Sequence, residues 1–201
     1  MGGTAAALNS AGARQFTVGW STSLWDQPSA SSTSGITRYP FFGNSVGAGG
    51  GVSSDYSQPA WQKGVVTGST TKRTIPDVSA IADPATGLGL TFDGSHVTTS
   101  GGTSQSSPLV AALVASSKAL TGRKVGNAAP YFYKLKGTTN ITDVKAATAG
   151  KYGMVFGQTK NGHFVLEGLA QPSDSLRVTT GWDNVTGLGE PSGSFLTSFG
   201  K

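Results

Sequence analysis

The segment from Ser100 to Pro108 carries residue types that could perform hydrolytic chemistry. It places Ser104 in a tight glycine-rich turn directly before an apolar stretch of helical character. A hydroxyl beside a helix N-terminus lies where backbone N–H groups and the helix dipole stabilise developing negative charge. A serine nucleophile at Ser104 is therefore one interpretation of the pattern. The alternative is that these small polar residues only cap the helix.

The residue types present in the chain exclude several other kinds of functional site. The chain has no cysteine, which excludes a disulfide scaffold and a thiolate zinc site, and His96 and His163 are too few for a histidine-rich metal centre. The glycine run at 47–53 lacks the Lys-Ser/Thr and the following helix of a phosphate-binding loop. It predicts instead positive φ angles or a close approach of another backbone.

The elements that must position Ser104 follow from apolar periodicity and turn residues. A strand is predicted at Gln15–Trp20, long ordered loops across 21–51, and a hairpin around Asp93-Gly94. A buried helix is predicted over Pro108–Leu120, with Ser107 as N-cap and Gly122 just past its end. Shorter helices at Pro130–Leu135 and Ser194–Phe199 complete the pattern. Strands alternating with buried helices favour an α/β fold.

Composition and charge fit one domain with few ionised groups. Of the 201 residues, 36% are hydrophobic and 12% are charged. The net charge of +5 comes from scattered basic residues, so we expect no nucleic-acid partner. The longest apolar stretch, Leu109–Leu120, is far shorter than the ~20 residues that span a bilayer, and we expect no membrane anchor. Only ten carboxylates are present, a composition that suits an acidic medium.

Other residues whose side chains could take part in chemistry are interpreted as structural. His96 is expected on an exposed strand, with substrate contact as the alternative. Asp77 and Asp83 are expected to be structural. The tryptophans are expected to pack rather than to form a sugar-stacking platform; they are Trp20, Trp25, Trp61 and Trp182.

The nucleophile segment Gly102–Pro108 resembles the Gly-Thr-Ser motif shared by subtilisins and by the sedolisins, the serine-carboxyl peptidases. Subtilisins need a histidine base in an upstream His-Gly segment, and neither histidine of this chain has that setting. Three further segments are similar to sedolisin motifs in the same order, namely Gly49–Ser53, Pro76–Gly87 and Gly181–Gly189. The similarity extends from Gly2-Gly3-Thr4 to near the end, with residues 21–46 and 153–177 aligning poorly.

This resemblance implies an α/β fold of subtilisin-like type, with a parallel sheet flanked by helices. Residues 1–201 would form the C-terminal part of a single catalytic domain. The implied activity is that of an acid-acting endopeptidase or tripeptidyl peptidase that forms an acyl-enzyme on Ser104. Its peptide or protein substrate would be bound by glycines and a threonine of two segments: Gly49, Gly50, Gly51, Gly102 and Thr103.

In the family a glutamate takes the serine proton, an aspartate supports that glutamate, and a further aspartate donates to the oxyanion. A carboxylate base works at a pH that would leave histidine protonated. These acids lie upstream of the segment that Met1–Thr4 resembles, and neither Glu167 nor Glu190 sits in a matching motif. We therefore expect an N-terminal chain of the same precursor to supply them.

The alternative to a peptidase is a non-catalytic secreted module with a binding or structural role, which keeps the fold without the catalytic chemistry. Secretion itself, or residence in a lysosome-like acidic compartment, is expected from the family and from the low carboxylate count.

The resemblance also implies a Ca²⁺ site. Asp143 and Asp183 would supply carboxylates, and Val144, Thr179 and Gly181 would supply main-chain carbonyls, an oxygen set that suits this hard cation. Thr179 stands where the family commonly has glycine. Spacing alone predicts only turn residues for the two aspartates.

Overall fold

A computed structural model describes residues 1–9, 11–27, 37–38, 46–84, 86–97, 100–145, 153–158, 164–169 and 176–200. The strands are β1 (Gly2–Leu8), β2 (Arg14–Gly19), β3 (Ser21–Gln27), β4 (Thr37–Arg38), β5 (Val46–Gly47), β6 (Gly51–Ser57), β7 (Lys72–Ile75), β8 (Ser79–Ile81), β9 (Leu90–Phe92), β10 (Ser95–Val97), β11 (Ile141–Thr142), β12 (Gly153–Gln158), β13 (Phe164–Leu169) and β14 (Glu190–Pro191). The helices are α1 (Thr103–Thr121), α2 (Ala129–Lys134), α3 (Phe195–Ser198) and a 3₁₀ turn at Ala60–Gln62.

The sheet that supports α1 has the order β2-β1-β8. Strand β1 pairs with β8 in parallel, with Gly2 opposite Ser79, and with β2 in antiparallel fashion, with Thr4 opposite Gly19. The strand predicted at Gln15–Trp20 is thus confirmed. Among the described strands, β1 and β8 form the one parallel pair. The expected parallel sheet is therefore represented here by two strands.

Helix α1 begins five residues earlier than the sequence predicts. Its N-cap is Gly102, with φ of 90°, and Pro108 lies inside the helix. The interpretation of Ser107 as N-cap was wrong, because the glycine at positive φ turns the chain into the helix first. Pro108 has no N–H to bond the carbonyl of Ser104, and the helix continues past this gap. Gly122 ends the helix in the left-handed conformation, as predicted.

One face of α1 is packed and the opposite face is open. Buried residues are Ser106, Val110 and Ser117, whereas Leu120 is 65% exposed. The prediction of a buried helix is therefore correct for the face toward β8 and α3 and wrong for the other. The exposed residues of the helix include four alanines, namely Ala111, Ala112, Ala115 and Ala119.

The hairpin prediction is confirmed and the loop prediction is corrected. Strands β9 and β10 pair around Asp93 and Gly94, whose φ angles are 44° and 75°. Residues 21–27, expected to be loop, form strand β3, and its residues from Thr22 to Gln27 pair with β13. A partner about 140 positions away in the sequence imposes this strand, and local patterning carries no signal of such a partner. Residues 28–36 and 39–45 of the predicted loop lie outside the described residues.

The larger hydrophobic core joins α1, α2 and α3. Phe132, Phe195 and Phe199 pack with ring centroids 4.6–5.9 Å apart. The two shorter predicted helices are confirmed: α2 is shifted by one residue toward the N-terminus, and α3 is one residue shorter at each end. No helix in the described part of the chain has the length and apolarity needed to cross a membrane.

Candidate active site and cation site

The turn that presents Ser104 is fixed to the end of β8. The Gly102 N–H donates a 2.5 Å hydrogen bond to the carbonyl oxygen of Ala82. A Cβ built on Gly101 would lie 2.5 Å from the ring of Pro84, so the two segments pack in backbone contact. Ser104 is the second residue of α1, and its side chain is exposed. The predicted nucleophile is thus held at a fixed point and open to a substrate.

The first turn of α1 provides unused hydrogen-bond donors beside Ser104. The Gln105 N–H bonds the Gly102 carbonyl at 2.9 Å, which leaves the N–H groups of Thr103 and Ser104 without a helical acceptor. Gly102 contributes no side-chain cap. An oxyanion that forms next to Ser104 would meet these donors and the positive end of a 19-residue helix.

Ser106, two residues after the predicted nucleophile, ties α1 to both strands beneath it. Its hydroxyl donates to the Gly2 carbonyl at 2.7 Å and accepts the Ala80 N–H at 2.9 Å. The side chain is 0% exposed. Sequence analysis missed this residue. The signal available was a serine where α1 faces the sheet, in a place where an apolar residue would be ordinary.

A groove of about 360 Å³ opens beside the nucleophile. Its walls come from the start of α1 and from the segment that leads into the β9–β10 hairpin. The lining residues are Leu88, Leu90, Ser100, Ser104, Gln105, Pro108 and Leu109.

The described part of the chain provides no carboxylate in hydrogen-bond contact with Ser104. Glu190 accepts a hydrogen bond from Thr4 and pairs with Arg14 at 3.1 Å. Asp83, fully buried, accepts the N–H and hydroxyl of Thr86 at 2.8 and 2.7 Å. Glu167 lies in β13, and its side chain is outside the description. A general base for Ser104 is therefore not found among the described acids.

The glycines at 49–51 pack closely at one position only. A Cβ on Gly50 would lie 2.2 Å from the Asn184 carbonyl oxygen and 2.4 Å from that of Ile75, whereas Gly49 and Gly51 face open space. The predicted close approach is thus confirmed at Gly50, and the predicted positive φ is wrong for all three.

These glycines line a separate groove of about 550 Å³, together with Val52, Ser53, Tyr56, Arg73 and Ile75. It shares no lining residue with the groove at Ser104. The structure therefore does not bring the two predicted substrate-binding segments into one pocket, although Gly102 and Thr103 do adjoin Ser104.

The loop from Thr179 to Gly187 is organised around the buried carboxylate of Asp183. One carboxylate oxygen accepts the N–H groups of Val185 and Thr186 at 2.9 and 2.7 Å. The other accepts the Thr186 hydroxyl at 2.9 Å and the Thr179 N–H at 3.2 Å. Burial raises the pKa of Asp183, and these hydrogen bonds oppose the rise. The turn-residue interpretation is confirmed for this aspartate.

The Asp143 carboxylate contacts the same loop through one of its two oxygens. Its Oδ2 accepts the Gly181 N–H at 2.9 Å, while Oδ1 is buried and has no hydrogen-bond partner in the described part of the chain. A buried carboxylate oxygen without a partner is costly unless a cation or water meets it. Thr179 and Gly181, two of the predicted main-chain ligands, contact these carboxylates through their N–H groups, and Val144 follows Asp143 in the chain. Carboxylate and main-chain carbonyl oxygens are the ligand types that suit Ca²⁺.

The Asp183 carboxylate already accepts four hydrogen bonds, so it would have to release one of them to bind a cation. No third acidic or histidine side chain joins the two aspartates within the described residues.

A second buried polar cluster, which sequence analysis did not find, supports the segment after β7. Gln62 accepts the Thr74 N–H at 3.0 Å and donates to the Tyr133 hydroxyl at 2.8 Å. Tyr133 in turn donates to Asp77 at 3.0 Å, and Asp77 also pairs with Arg73. Desolvation by burial, and next the charge of Asp77, raise the pKa of Tyr133. The expectation that Asp77 is structural agrees with these contacts.

The tryptophans that can be assessed behave as packing residues. Trp20 and Trp182 are buried, and the Trp182 indole N–H donates to the Pro76 carbonyl at 2.8 Å. The side chains of Trp25 and His96 are outside the description, and so is His163. His96 does lie in strand β10, as predicted.

Taken together, a serine on the first turn of a long helix, fixed to a parallel strand pair, defines an α/β chain of subtilisin-like type with a candidate nucleophile. A solved structure of Pseudomonas sedolisin, described as a serine-carboxyl proteinase complexed with two molecules of pseudo-iodotyrostatin, matches 95% of this chain and 42% of that chain. The TM-score is 0.63 and the sequence identity is 27%. The predicted fold class is thereby confirmed.

Curated relatives point the same way. Kumamolisin of Bacillus sp. strain MN-32 is 35% identical over 154 residues, and sedolisin of Pseudomonas sp. strain 101 is 31% identical over 143 residues. The probable tripeptidyl-peptidase SED3 of Trichophyton verrucosum is 33% identical over 163 residues. These alignments cover 72%, 70% and 71% of this chain. No protein-family model matches the chain. The chain belongs to the sedolisin family.

It spans about a quarter of the length of these relatives, 24%, 21% and 25% respectively. The roles predicted for Ser104, for the glycines and for the five candidate cation ligands remain predictions.

Proposed function

We propose that this chain is the nucleophile-bearing part of an acid-acting serine-carboxyl peptidase, an endopeptidase or a tripeptidyl peptidase. The observation that carries the proposal is the placement of Ser104: exposed, on the first turn of α1, beside N–H groups that lack helical acceptors. Membership of the sedolisin family supports the reaction class, hydrolysis of peptide bonds.

In the proposed reaction, Ser104 Oγ attacks the carbonyl carbon of the scissile peptide bond. The hydroxyl proton passes to a carboxylate base, and the oxyanion faces the first turn of α1. Cleavage of the C–N bond releases the amine, which takes up that proton. The carboxylate base then takes a proton from water as the water oxygen attacks the ester carbonyl carbon. The bond between that carbon and Ser104 Oγ breaks, the proton passes from the base to Oγ, and the second product leaves as a carboxylic acid.

The base must come from outside the described residues, since no described carboxylate contacts Ser104. We assign it to an N-terminal chain of the same precursor, which would carry a glutamate–aspartate pair and an oxyanion aspartate. Carboxylates that act as bases favour acid operation, which is consistent with the low carboxylate count and with secretion or an acidic compartment.

Ca²⁺ is proposed at Asp143 and Asp183, with main-chain ligands from Val144, Thr179 and Gly181. When bound, it would neutralise the carboxylates of Asp143 and Asp183 and hold the 179–187 loop. Oδ1 of Asp143, which is buried and has no hydrogen-bond partner among the described residues, supports this assignment.

A non-catalytic secreted module is the second candidate. It is favoured by one observation: four described acids are engaged with partners other than Ser104, namely Asp83, Asp143, Asp183 and Glu190.

The first experiment measures the intact mass of the purified protein at acid pH, under native and denaturing conditions. The mass is measured before and after reaction with a serine-reactive phosphonate probe. A co-purifying N-terminal chain and a label on Ser104 would support the peptidase. Ser104→Ala should abolish labelling, while Ser107→Ala, another exposed serine of the same helix, should not. An isolated chain that cleaves peptides through Ser104 would refute the assignment of the base to a second chain. Retained cleavage in Ser104→Ala would refute the nucleophile.

A further inference from the structure

The groove lined by the glycines at 49–51, here called the glycine groove, is remote from Ser104 along the sheet. A Cβ on Gly50 would lie 2.8 Å from the ring of Pro76, which precedes β8. The turn that presents Ser104 is bonded to Ala82, which directly follows β8. The two grooves thus lie toward opposite ends of this strand and share no lining residue. A partner in the glycine groove would leave the groove at Ser104 open.

The two-stranded ribbon of β6 and β7 has one capped edge and one open edge. On the β7 edge, the Thr74 N–H donates to the side-chain oxygen of Gln62 at 3.0 Å, and the Thr74 carbonyl accepts the Gln62 amide at 2.6 Å. Val52 is the β6 partner of Thr74, so in an antiparallel pair its N–H and carbonyl also point out of the ribbon, on the β6 side. No described residue caps these two groups as Gln62 caps those of Thr74. An open edge of this kind can accept a further strand.

The walls of the glycine groove are apolar and carry no uncompensated charge. Val52, Tyr56 and Ile75 line it and are 50%, 72% and 47% exposed. Arg73, its charged lining residue, is paired with Asp77. Exposed apolar side chains that converge on one concave surface indicate a partner. The occupant that fits this groove is an extended, uncharged segment with apolar side chains.

The first residues of the chain lie beside this groove. A Cβ on Gly2 would lie 3.0 Å from the ring of Pro76, the ring that also borders the glycine groove. Burial lowers the pKa of the Met1 α-amino group, and the charges of Asp77 and Arg73 act on this group next. Because Arg73 lines the groove, residues joined to Met1 would leave the fold next to it.

We propose that the glycine groove seats the segment of the precursor's N-terminal chain that directly precedes Met1, as an extended strand added to β6. The proposal rests on the proposed function, because that function requires an N-terminal chain. The solved sedolisin is long enough to include such a chain, since the present chain matches 42% of it. The occupant differs from the substrate that the family resemblance implies for these glycines.

A short strand attached before Met1 tests the groove without the natural N-terminal chain. The probe is the extension Thr-Val-Thr-Val-Thr, and the extension Gly-Ser-Gly-Ser-Gly is its control. Gly51→Cys places a single thiol in the groove, because the chain has no cysteine and a Cβ at this position meets nothing within 4 Å. Gly126→Cys is the matched control, equally unhindered but absent from the groove lining. The rate of alkylation by iodoacetamide is measured on each thiol.

We expect the Thr-Val extension to slow alkylation of Gly51→Cys by about tenfold relative to the Gly-Ser extension. A short tether gives a millimolar effective concentration, which fills a site with a Kd of about 0.1 mM almost completely. Gly126→Cys should react at the same rate with either extension. Adding Ile75→Ser, which removes an apolar wall, should abolish the slowing. Equal rates at Gly51→Cys with the two extensions, or equal slowing at both thiols, would overturn the proposal.

The same thiol distinguishes two other occupants of the groove. Slowing in the unextended chain that increases with protein concentration would assign the groove to a second copy. Slowing by free Thr-Val-Thr-Val-Thr at about 10 µM, far below the effective concentration of a tether, would assign it to external peptides. Either result would overturn the proposal. The absence of a co-purifying N-terminal chain would instead refute the proposed function, so the two failures are distinguishable.

Discussion

The Ser106 hydroxyl donates a 2.7 Å hydrogen bond to the carbonyl oxygen of Gly2, 104 residues earlier in the chain. The same hydroxyl accepts the Ala80 N–H of the neighbouring strand. One buried side chain thereby joins β1, β8 and the helix that carries Ser104. The position of the candidate nucleophile depends on this junction.

Replacement of Ser106 by alanine should therefore destabilise the chain. Gly2 and Ala80 would lose their shared partner in a buried setting, at a cost of about 1–3 kcal/mol. Ser117→Ala is the matched control, since Ser117 is also buried in α1 but makes a single 3.5 Å bond to the Phe199 carbonyl. Urea unfolding of both variants measures the difference. Equal losses would show that the Ser106 contacts add nothing specific.

Gly50 should tolerate no side chain, whereas Gly51 should. A methyl group at Gly50 would press on the carbonyl oxygens of Asn184 and Ile75, both backbone atoms that cannot swing aside. We expect Gly50→Ala to cost about 1–3 kcal/mol, the range for overpacking. Gly51→Ala meets nothing within 4 Å and should be neutral or slightly stabilising. Thermal melts compare the melting temperatures of the two variants with that of the unmodified chain. A lowered melting temperature for Gly51→Ala with an unchanged one for Gly50→Ala would contradict the prediction.

How far the sequence predicts this molecule depends on how local each feature is. The Asp93-Gly94 hairpin and the Gly122 helix end were predictable, because each needs only a glycine conformation and its immediate neighbours. The helix start was missed by five residues, since Ser107 and Pro108 carry a strong local signal that Gly102 overrides.

Strand β3 and the Ser106–Gly2 hydrogen bond could not be predicted, because their partners lie roughly 100 residues or more away in the chain. The Gln62–Tyr133 contact was missed for a similar reason, since the two residues are 71 positions apart. Ser104 was predicted as a nucleophile from the glycine turn and the helix pattern around it, whereas the residues that hold it in place depend on tertiary packing.

The stability of the chain should fall at alkaline pH through Tyr133. An unfolded tyrosine has a pKa of about 10. Burial, and next the charge of Asp77, raise the pKa of Tyr133 in the folded chain. The folded state therefore holds the phenol proton more tightly, and this contribution is complete below about pH 10 and is lost as the pH rises above it.

Urea unfolding at a series of alkaline pH values should show this decline. Tyr133→Phe should flatten it, while lowering stability at neutral pH because Asp77 and Gln62 lose a buried partner. Tyr56→Phe, at an exposed tyrosine, should leave the profile unchanged. An unaltered alkaline decline in Tyr133→Phe would assign it to another group.

Calcium should stabilise the chain through Asp143 rather than through a general effect of salt. Saturation of one site at 100 times its Kd adds about 2.7 kcal/mol to the free energy of unfolding. Thermal melts in EDTA and in excess Ca²⁺, with Mg²⁺ as the ionic control, measure this gain.

Asp143→Asn should remove the gain and leave the metal-free chain as stable as before, because it eliminates a buried charge whose Oδ1 has no partner in the described residues. Asp183→Asn should behave differently and destabilise the chain with or without Ca²⁺, since four donors of the 179–187 loop depend on that carboxylate. A wild-type chain that melts identically in EDTA and Ca²⁺ would exclude the site, and a full gain in Asp143→Asn would place the cation elsewhere.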